Sequence, residues 1–162
     1  MNELAGSTTF ADASFLQNDG VCSGANCPAA NSQQLTFDGN DAIDIPNSAD
    51  LIGTTYSIAM AVNPFSYNSQ RVLFSKADDV AAGGTVSLVL QADNTVSFIN
   101  NDYCGTPSNN ILTSSNSLPM NQWSHIVATL DGVTKRLYIN GIEVAAVNYD
   151  RAGECANSRQ VS

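Results

Sequence analysis

The sequence has few charged side chains and very few bases. Asp, Glu, Lys and Arg together make up 13% of its 162 residues, roughly half of the usual share. Six residues are Lys or Arg and fifteen are Asp or Glu, so the formal net charge is -9 at pH 7. A field of this sign repels phosphate backbones and anionic lipid headgroups. We therefore expect no nucleic-acid partner.

Long hydrophobic runs are also absent. No apolar stretch approaches the ~20 residues of a membrane helix, and the start, "MNELAGSTTF", lacks the basic and apolar regions of a signal peptide. We expect no direct membrane insertion. If the protein is secreted, this sequence is a mature form, an excised domain or a fragment. Polarity comes mainly from Asn and Ser, eighteen of each, a composition common in secreted modules.

Four cysteines stand in turn-rich sequence. Cys22 and Cys27 bracket "CSGANC", whereas Cys104 and Cys155 lie in separate polar loops. An even count of this kind indicates disulfides and an extracellular or cell-surface location, although four cysteines allow three connectivities. We favour Cys22–Cys27 with Cys104–Cys155. The alternative is a zinc site, for which C-x4-C and one distant His are poor spacing.

Apolar residues alternate with small or polar residues, which is the pattern of strands that bury one face. It occurs in "TYSIAMAV" (residues 55–62) and on both sides of a turn in "TVSLVLQADNTVSFIN" (residues 85–100), which predicts a hairpin. Asn140-Gly141 predicts a type I′ turn and Asp131-Gly132 predicts a second turn, so we expect residues 122–147 to form a three-stranded meander. Helical periodicity is absent apart from one possible turn in "PNSADLIG". We predict an all-β domain, a two-sheet antiparallel sandwich or jelly roll.

Three segments carry a resemblance to a known family. They are "ELAGSTTFADASFLQNDGVCSGANCP" near the start, "LTFDGNDAIDIP" at residues 35–46, and "WSHIVATLDGVTKRLYINGIEV" at residues 123–144. In this order they resemble the concanavalin A-like, laminin G-type jelly-roll domains of secreted bacterial proteins. The resemblance implies one such domain over residues 1–162, but it leaves the function open because the family's functions are diverse.

The family normally continues with one or two further strands, whereas this sequence ends at "SRQVS". A sandwich without its closing strand exposes unpaired backbone groups. We therefore expect either self-association by strand complementation, which would make the chain a subunit of a polymer or filament, or a truncated sequence.

Trp123 and His125 share one strand face with Val127 and Thr129. We predict that this face points into the core, with Trp123 as a packing anchor and His125 as a hydrogen-bonded structural residue.

Oxygen ligands are concentrated in "FDGNDAID". Ca²⁺ binds six to eight oxygens from carboxylates, amides and main-chain carbonyls, and the resemblance also implies calcium at a rim of the domain. The alternative is that the Asp-Gly step only makes a turn. The candidate calcium ligands are Asp38, Asn40, Asp41 and Asp44.

Catalytic motifs are missing. Glycoside hydrolysis needs two facing carboxylates, and the "E-x-D-x-x-E" string of jelly-roll glucanases does not occur. We predict a non-catalytic extracellular recognition or adhesion module whose partner is a glycan or a cell-surface protein; the alternatives are the self-assembling subunit and an accessory domain of a secreted hydrolase. Loop aromatics and amides suit sugar binding, although the aromatics could instead cap the sandwich ends. The candidate ligand-binding residues are Phe65, Tyr67, Asn100, Asn101, Asp102 and Tyr103.

Overall fold

A computed structural model describes residues 4–31, 33–46, 55–65, 69–76, 85–101 and 110–149. The chain divides into two compact units, the first of residues Met1–Ser48 with Ser158–Ser162 and the second of Ala49–Asn157. None of the described residues belongs to a helix of the length and hydropathy that crossing a bilayer requires.

The first unit consists of short strands tied by a disulfide. Strand β1 (Thr9–Phe10) pairs with β2 (Gly20–Val21), and β3 (Ala29–Ala30) pairs with β4 (Leu35–Thr36), both antiparallel. A 3-10 helix at Gly24–Asn26 lies between the two pairs. The Cys22–Cys27 disulfide encloses this helix, which confirms the predicted pairing of these two cysteines.

The second unit contains eight strands in two antiparallel sheets. The strands are β5 (Tyr56–Val62), β6 (Arg71–Lys76), β7 (Thr85–Leu90), β8 (Val96–Asn101), β9 (Ile111–Thr113), β10 (Ser124–Leu130), β11 (Thr134–Ile139) and β12 (Ile142–Asn148). The first sheet has the order β12-β11-β10-β5, and the second has the order β6-β7-β8-β9. The predicted all-β, two-sheet antiparallel architecture is confirmed.

The core lies between these two sheets and is built by the predicted alternation. In the first sheet, β10 places every second residue inward, and in the second sheet Leu88 stands opposite Phe98 in the same layer. Both sheets therefore contribute one apolar face, as burial of period-two strands requires. The buried apolar residues are Ile58, Leu88, Leu90, Val96, Phe98, Leu112, Leu118, Ile126, Ala128, Leu130, Leu137 and Tyr149.

The turns match the predicted chemistry. Asn140 and Gly141 have φ values of 52° and 81°, the two left-handed positions that a type I′ turn needs. They connect β11 to β12, and β10 pairs with β11, so the meander over these three strands is confirmed. The hairpin of β7 and β8 is confirmed as well. The predicted helical turn in residues 46–53 falls largely outside the described residues.

One buried cation crosses the core. Lys135, on β11 of the first sheet, is fully buried, and its Nζ donates to the main-chain oxygens of Phe98 at 2.9 Å and Asn110 at 2.7 Å. The same Nζ lies 4.5 Å from the centroid of the Phe98 ring. Carbonyl oxygens and a ring face stabilise an ammonium group in a position that would otherwise be costly. Lys135 therefore links the two sheets.

The sandwich has two ends. Strand β5 runs from Tyr56 to Val62, and β10 runs in the opposite direction from Ser124 to Leu130, with Val62 opposite Ser124 and Tyr56 opposite Leu130. We call the end that contains Val62 and Ser124 the Trp123 end, and the other end the Tyr56 end. In the second sheet, Asn100 near the end of β8 bonds to the Tyr56 hydroxyl, so the other end of β8, where the turn from β7 lies, is at the Trp123 end.

Candidate ligand-binding surface

Two large aromatic side chains are exposed at the Trp123 end. Phe65 follows β5 and is 60% exposed, and Trp123 precedes β10 and is 54% exposed. We call this pair the aromatic ledge. Exposed aromatic side chains on adjoining segments are typical of surfaces that bind a partner.

Backbone geometry holds the two segments of the ledge together. The pairing of Val62 with Ser124 places the end of β5 beside the start of β10. Beyond this pair, the N–H of Asn121 donates to the carbonyl oxygen of Pro64 at 2.8 Å. Asn121 has a φ of 56°, a left-handed conformation that Asn tolerates better than most residues. The position of the ledge is therefore set by strand pairing and by one local turn.

Polar groups surround the ledge. The N–H of His125 donates to Asn140 Oδ1 at 2.8 Å, and the His125 carbonyl accepts from the N–H of Asn140 at 2.8 Å. This pair of bonds fixes the start of β10 against the turn between β11 and β12. Asn121, Gln122 and His125 are exposed. Chemically, the surface offers aromatic faces beside amide and imidazole groups, which is suited to a ligand with apolar faces and many hydroxyls.

The prediction that Trp123 faces the core is wrong. Its strand alternates in the opposite phase, because Ser124, Ile126 and Ala128 are buried whereas Trp123 and His125 are exposed. His125 does share the Trp123 face, as expected, but the side chain of neither residue lies in the core. The apolar set Ile126, Ala128 and Leu130 indicates this phase in the sequence and outweighs the size of a single tryptophan.

The structure does not bring the predicted ligand-binding residues together. Phe65 lies at the Trp123 end, whereas Asn100 is buried at the Tyr56 end, where its Nδ2 donates to the Tyr56 hydroxyl oxygen at 2.6 Å. The length of β5 alone separates these ends by roughly 20 Å. Asn101 ends β8, but its side chain is outside the description, as are the residues Tyr67, Asp102 and Tyr103. Their part in binding stays a prediction.

The predicted calcium ligands lie in the first unit. The N–H of Asp38 donates to Asp41 Oδ2 at 2.8 Å, and the N–H of Asn40 donates to Asp38 Oδ1 at 2.9 Å, around Gly39 with a φ of 108°. The carboxylates thus hold a turn. Asp44 forms a two-way main-chain bridge with Val21 instead.

The donor types at this turn suit a hard cation, because carboxylate and amide oxygens are the ligands that Ca²⁺ prefers. Among the residues that the structure describes, however, no three His, Cys, Asp or Glu side chains converge as a metal cluster. The calcium site stays a prediction. The predicted Cys104–Cys155 disulfide lies outside the described residues and also stays a prediction.

Comparison with known proteins gives a family and a structural relative. The family described as the concanavalin A-like lectin/glucanases superfamily matches residues 37–159. Among solved structures, the chain is similar to domain 4 of AbnA, a GH43 extracellular arabinanase from Geobacillus stearothermophilus, in complex with arabinotriose, with a TM-score of 0.59 and 20% identity. The match covers 96% of this chain and 66% of that one, so the chain spans about two thirds of its relative. No curated protein matches.

Proposed function

The chain belongs to the concanavalin A-like lectin/glucanases superfamily, and we propose that it is a glycan-binding accessory module of a secreted glycan-degrading enzyme. The observation that carries this proposal is the aromatic ledge. Phe65 and Trp123 present their rings to solvent on a rigid sheet end, next to exposed amides. Sugar rings bind by stacking one apolar face on an aromatic ring while their hydroxyls bond to neighbouring polar groups.

The arabinanase domain supports the choice of glycan as ligand. That domain has the same type of fold and was solved with arabinotriose. At 20% identity the similarity shows a shared fold. Arabinose-containing oligosaccharides are the first ligands to test, because the relative was solved with one, and other neutral sugars follow. An accessory role is supported by the relative, which is one domain of an extracellular arabinanase.

The chain itself is proposed to be non-catalytic and to work outside the cell. The sequence lacks the glutamate string of jelly-roll glucanases, and retaining or inverting glycosidases need two carboxylates across the sugar ring. The Cys22–Cys27 disulfide supports an oxidising location. Adhesion to a cell-surface protein and self-association by strand complementation stay predictions, since no feature of the described residues favours either one over glycan binding.

The test is binding of arabinotriose and a panel of neutral oligosaccharides, measured by isothermal titration calorimetry with the full chain. We expect binding by the unmodified protein and a roughly tenfold to hundredfold weaker affinity for Trp123→Ala, the size of effect expected of a central aromatic contact. Val133→Ala is the control, because Val133 is 65% exposed but follows β10 at the Tyr56 end of the same unit. Its affinity should be unchanged. Equal losses in both variants, or no binding of any glycan, would contradict the proposal.

A further inference from the structure

We propose that the first unit carries a second, weaker glycan contact at the tip of a loop, and that this contact acts together with the aromatic ledge when the protein binds a polysaccharide. This inference rests on the proposed glycan-binding function. It starts from Phe15, which is 93% exposed. Among the large apolar side chains that the structure describes, Phe15 has the highest exposed fraction.

Hydrogen bonds close the base of this loop. We call residues 12–19 the Phe15 loop. The carboxylate of Asp12 accepts from the N–H of Ser14 at 2.8 Å and from the N–H of Asn18 at 2.9 Å, so one side chain joins both limbs of the loop. The Ser14 hydroxyl also donates to this carboxylate at 2.6 Å. Finally, the N–H of Asp12 donates to Asp19 Oδ1 at 2.8 Å.

These bonds fix the conformation of the tip before a ligand arrives. The Ser14 hydroxyl, followed by the N–H groups of Ser14 and Asn18, lowers the pKa of Asp12, so the carboxylate stays ionised and keeps its bonds at neutral pH. Gln17 has a left-handed φ of 56°, which persists only where the surrounding bonds determine it. A contact on such a loop costs less ordering entropy than one on a mobile segment.

The size of the tip determines the class of ligand that it fits. A stable protein interface takes about 800 Å² from each partner, whereas one aromatic side chain offers about 150–250 Å². Beside Phe15, the tip adds only Leu16, which is 43% exposed. A sugar ring needs one aromatic face and a few polar neighbours, and the exposed amide of Gln17 is such a neighbour. The tip therefore fits a sugar unit better than a protein.

The tip and the aromatic ledge belong to different units of the same chain. One stacked ring binds weakly by itself, because association costs translational and rotational freedom. A polysaccharide presents many equivalent sugar units, so binding at the ledge raises the concentration of sugar around the rest of the protein. Two contacts used together can exceed the affinity of either one by roughly 10²–10⁴. We therefore expect Phe15 to contribute to polysaccharide binding and not to the binding of short oligosaccharides.

The test compares arabinotriose in solution with arabinan immobilised on a sensor surface, using the full chain. Phe15→Ala should bind arabinotriose as the unmodified protein does, but its apparent affinity for arabinan should be at least roughly tenfold weaker. Trp123→Ala should weaken the binding of both ligands. The melting temperature of Phe15→Ala should be unchanged, because the side chain is almost fully exposed, and this measurement separates a lost contact from a lost fold.

Substitutions at the tip test whether the ring itself is needed. Phe15→Trp keeps an aromatic face and should retain the affinity for arabinan, whereas Phe15→Leu keeps only apolar surface and should lose it. Leu16→Ala is the matched control at the neighbouring position and should bind arabinan normally. Full affinity in Phe15→Leu, or equal losses in Leu16→Ala and Phe15→Ala, would indicate a general apolar contact such as a protein or lipid would make, and would overturn the inference.

The outcomes also separate this inference from the proposed function. Normal binding of both arabinotriose and arabinan by Phe15→Ala overturns the second contact and leaves glycan binding at the ledge intact. If neither ligand binds the unmodified protein, the inference is overturned, and the wider panel of neutral oligosaccharides decides the proposed function separately.

Discussion

The N–H of Asn121 donates to the carbonyl oxygen of Pro64 over 2.8 Å. Each of these residues stands within two positions of an exposed aromatic side chain, so this one hydrogen bond joins the segment of Phe65 to the segment of Trp123. The bond extends the pairing of β5 with β10 beyond its last strand pair, Val62 and Ser124. The segments of the aromatic ledge are thus held together by an extension of the sheet's own hydrogen-bond pattern.

Asn121 is expected to position the ledge through its backbone conformation. Its φ of 56° is left-handed, and a residue with an ordinary Cβ pays about 1–2 kcal/mol there. Asn121→Val should therefore lower the free energy of unfolding by roughly that amount and weaken glycan binding. Asn121→Gly tolerates the same φ and should retain both. Urea unfolding and calorimetric titration of the two variants provide the comparison; equal behaviour of Val and Gly would refute the positioning role.

Lys135 is expected to stabilise the sandwich. Lys135→Met keeps the aliphatic length but removes the donor to Phe98 and Asn110, and hydrogen bonds from a charged group are worth about 1.5–3 kcal/mol each. We expect a net loss of about 2–4 kcal/mol in the free energy of unfolding, less than the sum of the two bonds, because methionine also removes the cost of burying an ammonium charge. Arg136→Met, on the neighbouring residue, is the control and should cost less than about 1 kcal/mol, because its ion pairs are exposed to solvent. A smaller loss for Lys135 than for Arg136 would show that the link between the sheets contributes nothing.

Asp131 is expected to make stability depend on acid pH. The hydrogen bond from Arg136, followed by the N–H of Thr134, lowers the pKa of Asp131 below its ordinary 3.8. A carboxyl whose pKa is lower in the folded state than in the unfolded state stabilises the protein at pH values above its unfolded-state pKa. That contribution is lost as the pH falls through its folded-state pKa. The unmodified protein should thus have a higher free energy of unfolding than Asp131→Asn at neutral pH, and this difference should disappear at acid pH. Urea titrations at a series of pH values measure it, and a difference that persists at the acid end would contradict this assignment.

The calcium prediction at residues 38–44 has a direct thermal test. An ion that binds only the folded state raises the melting temperature, so the prediction requires EDTA to lower it and added Ca²⁺ to restore it. Asp41→Asn should remove this response. A melting temperature that is identical with EDTA and with Ca²⁺ would leave Asp38 and Asp41 as turn residues alone, which their hydrogen bonds to main-chain N–H groups already explain.

The fold is largely predictable from the sequence, because the physical signals are local. Asn140-Gly141 determines a turn type, and the alternation in β7 and β8 determines which residues share a face. Each of these signals depends on neighbours within a few positions. The two-sheet architecture follows once such strands have to bury one face each.

The candidate site is harder to predict, since it depends on which end of the sandwich a loop occupies. The loop with Phe65 follows β5, and Asn100 lies near the end of β8, three strands later. Consecutive antiparallel strands reverse direction, so loops after the first and the fourth of them lie at opposite ends. The number of strand reversals between Phe65 and Asn100 therefore places these two segments at opposite ends of the sandwich. The exposure of Trp123 follows from the alternation in β10. Ile126 and Leu130 are buried, so Trp123, an odd number of positions away from both, faces solvent.

The most direct test of the central claim is a two-dimensional NMR titration of the labelled chain with arabinotriose, or with the neutral oligosaccharide that binds most tightly. The account predicts that the largest chemical-shift changes occur at the Trp123 indole N–H and at the amides of Phe65, Asn121 and Gln122. Changes confined to the Tyr56 end, around Tyr56 and Asn100, would contradict it.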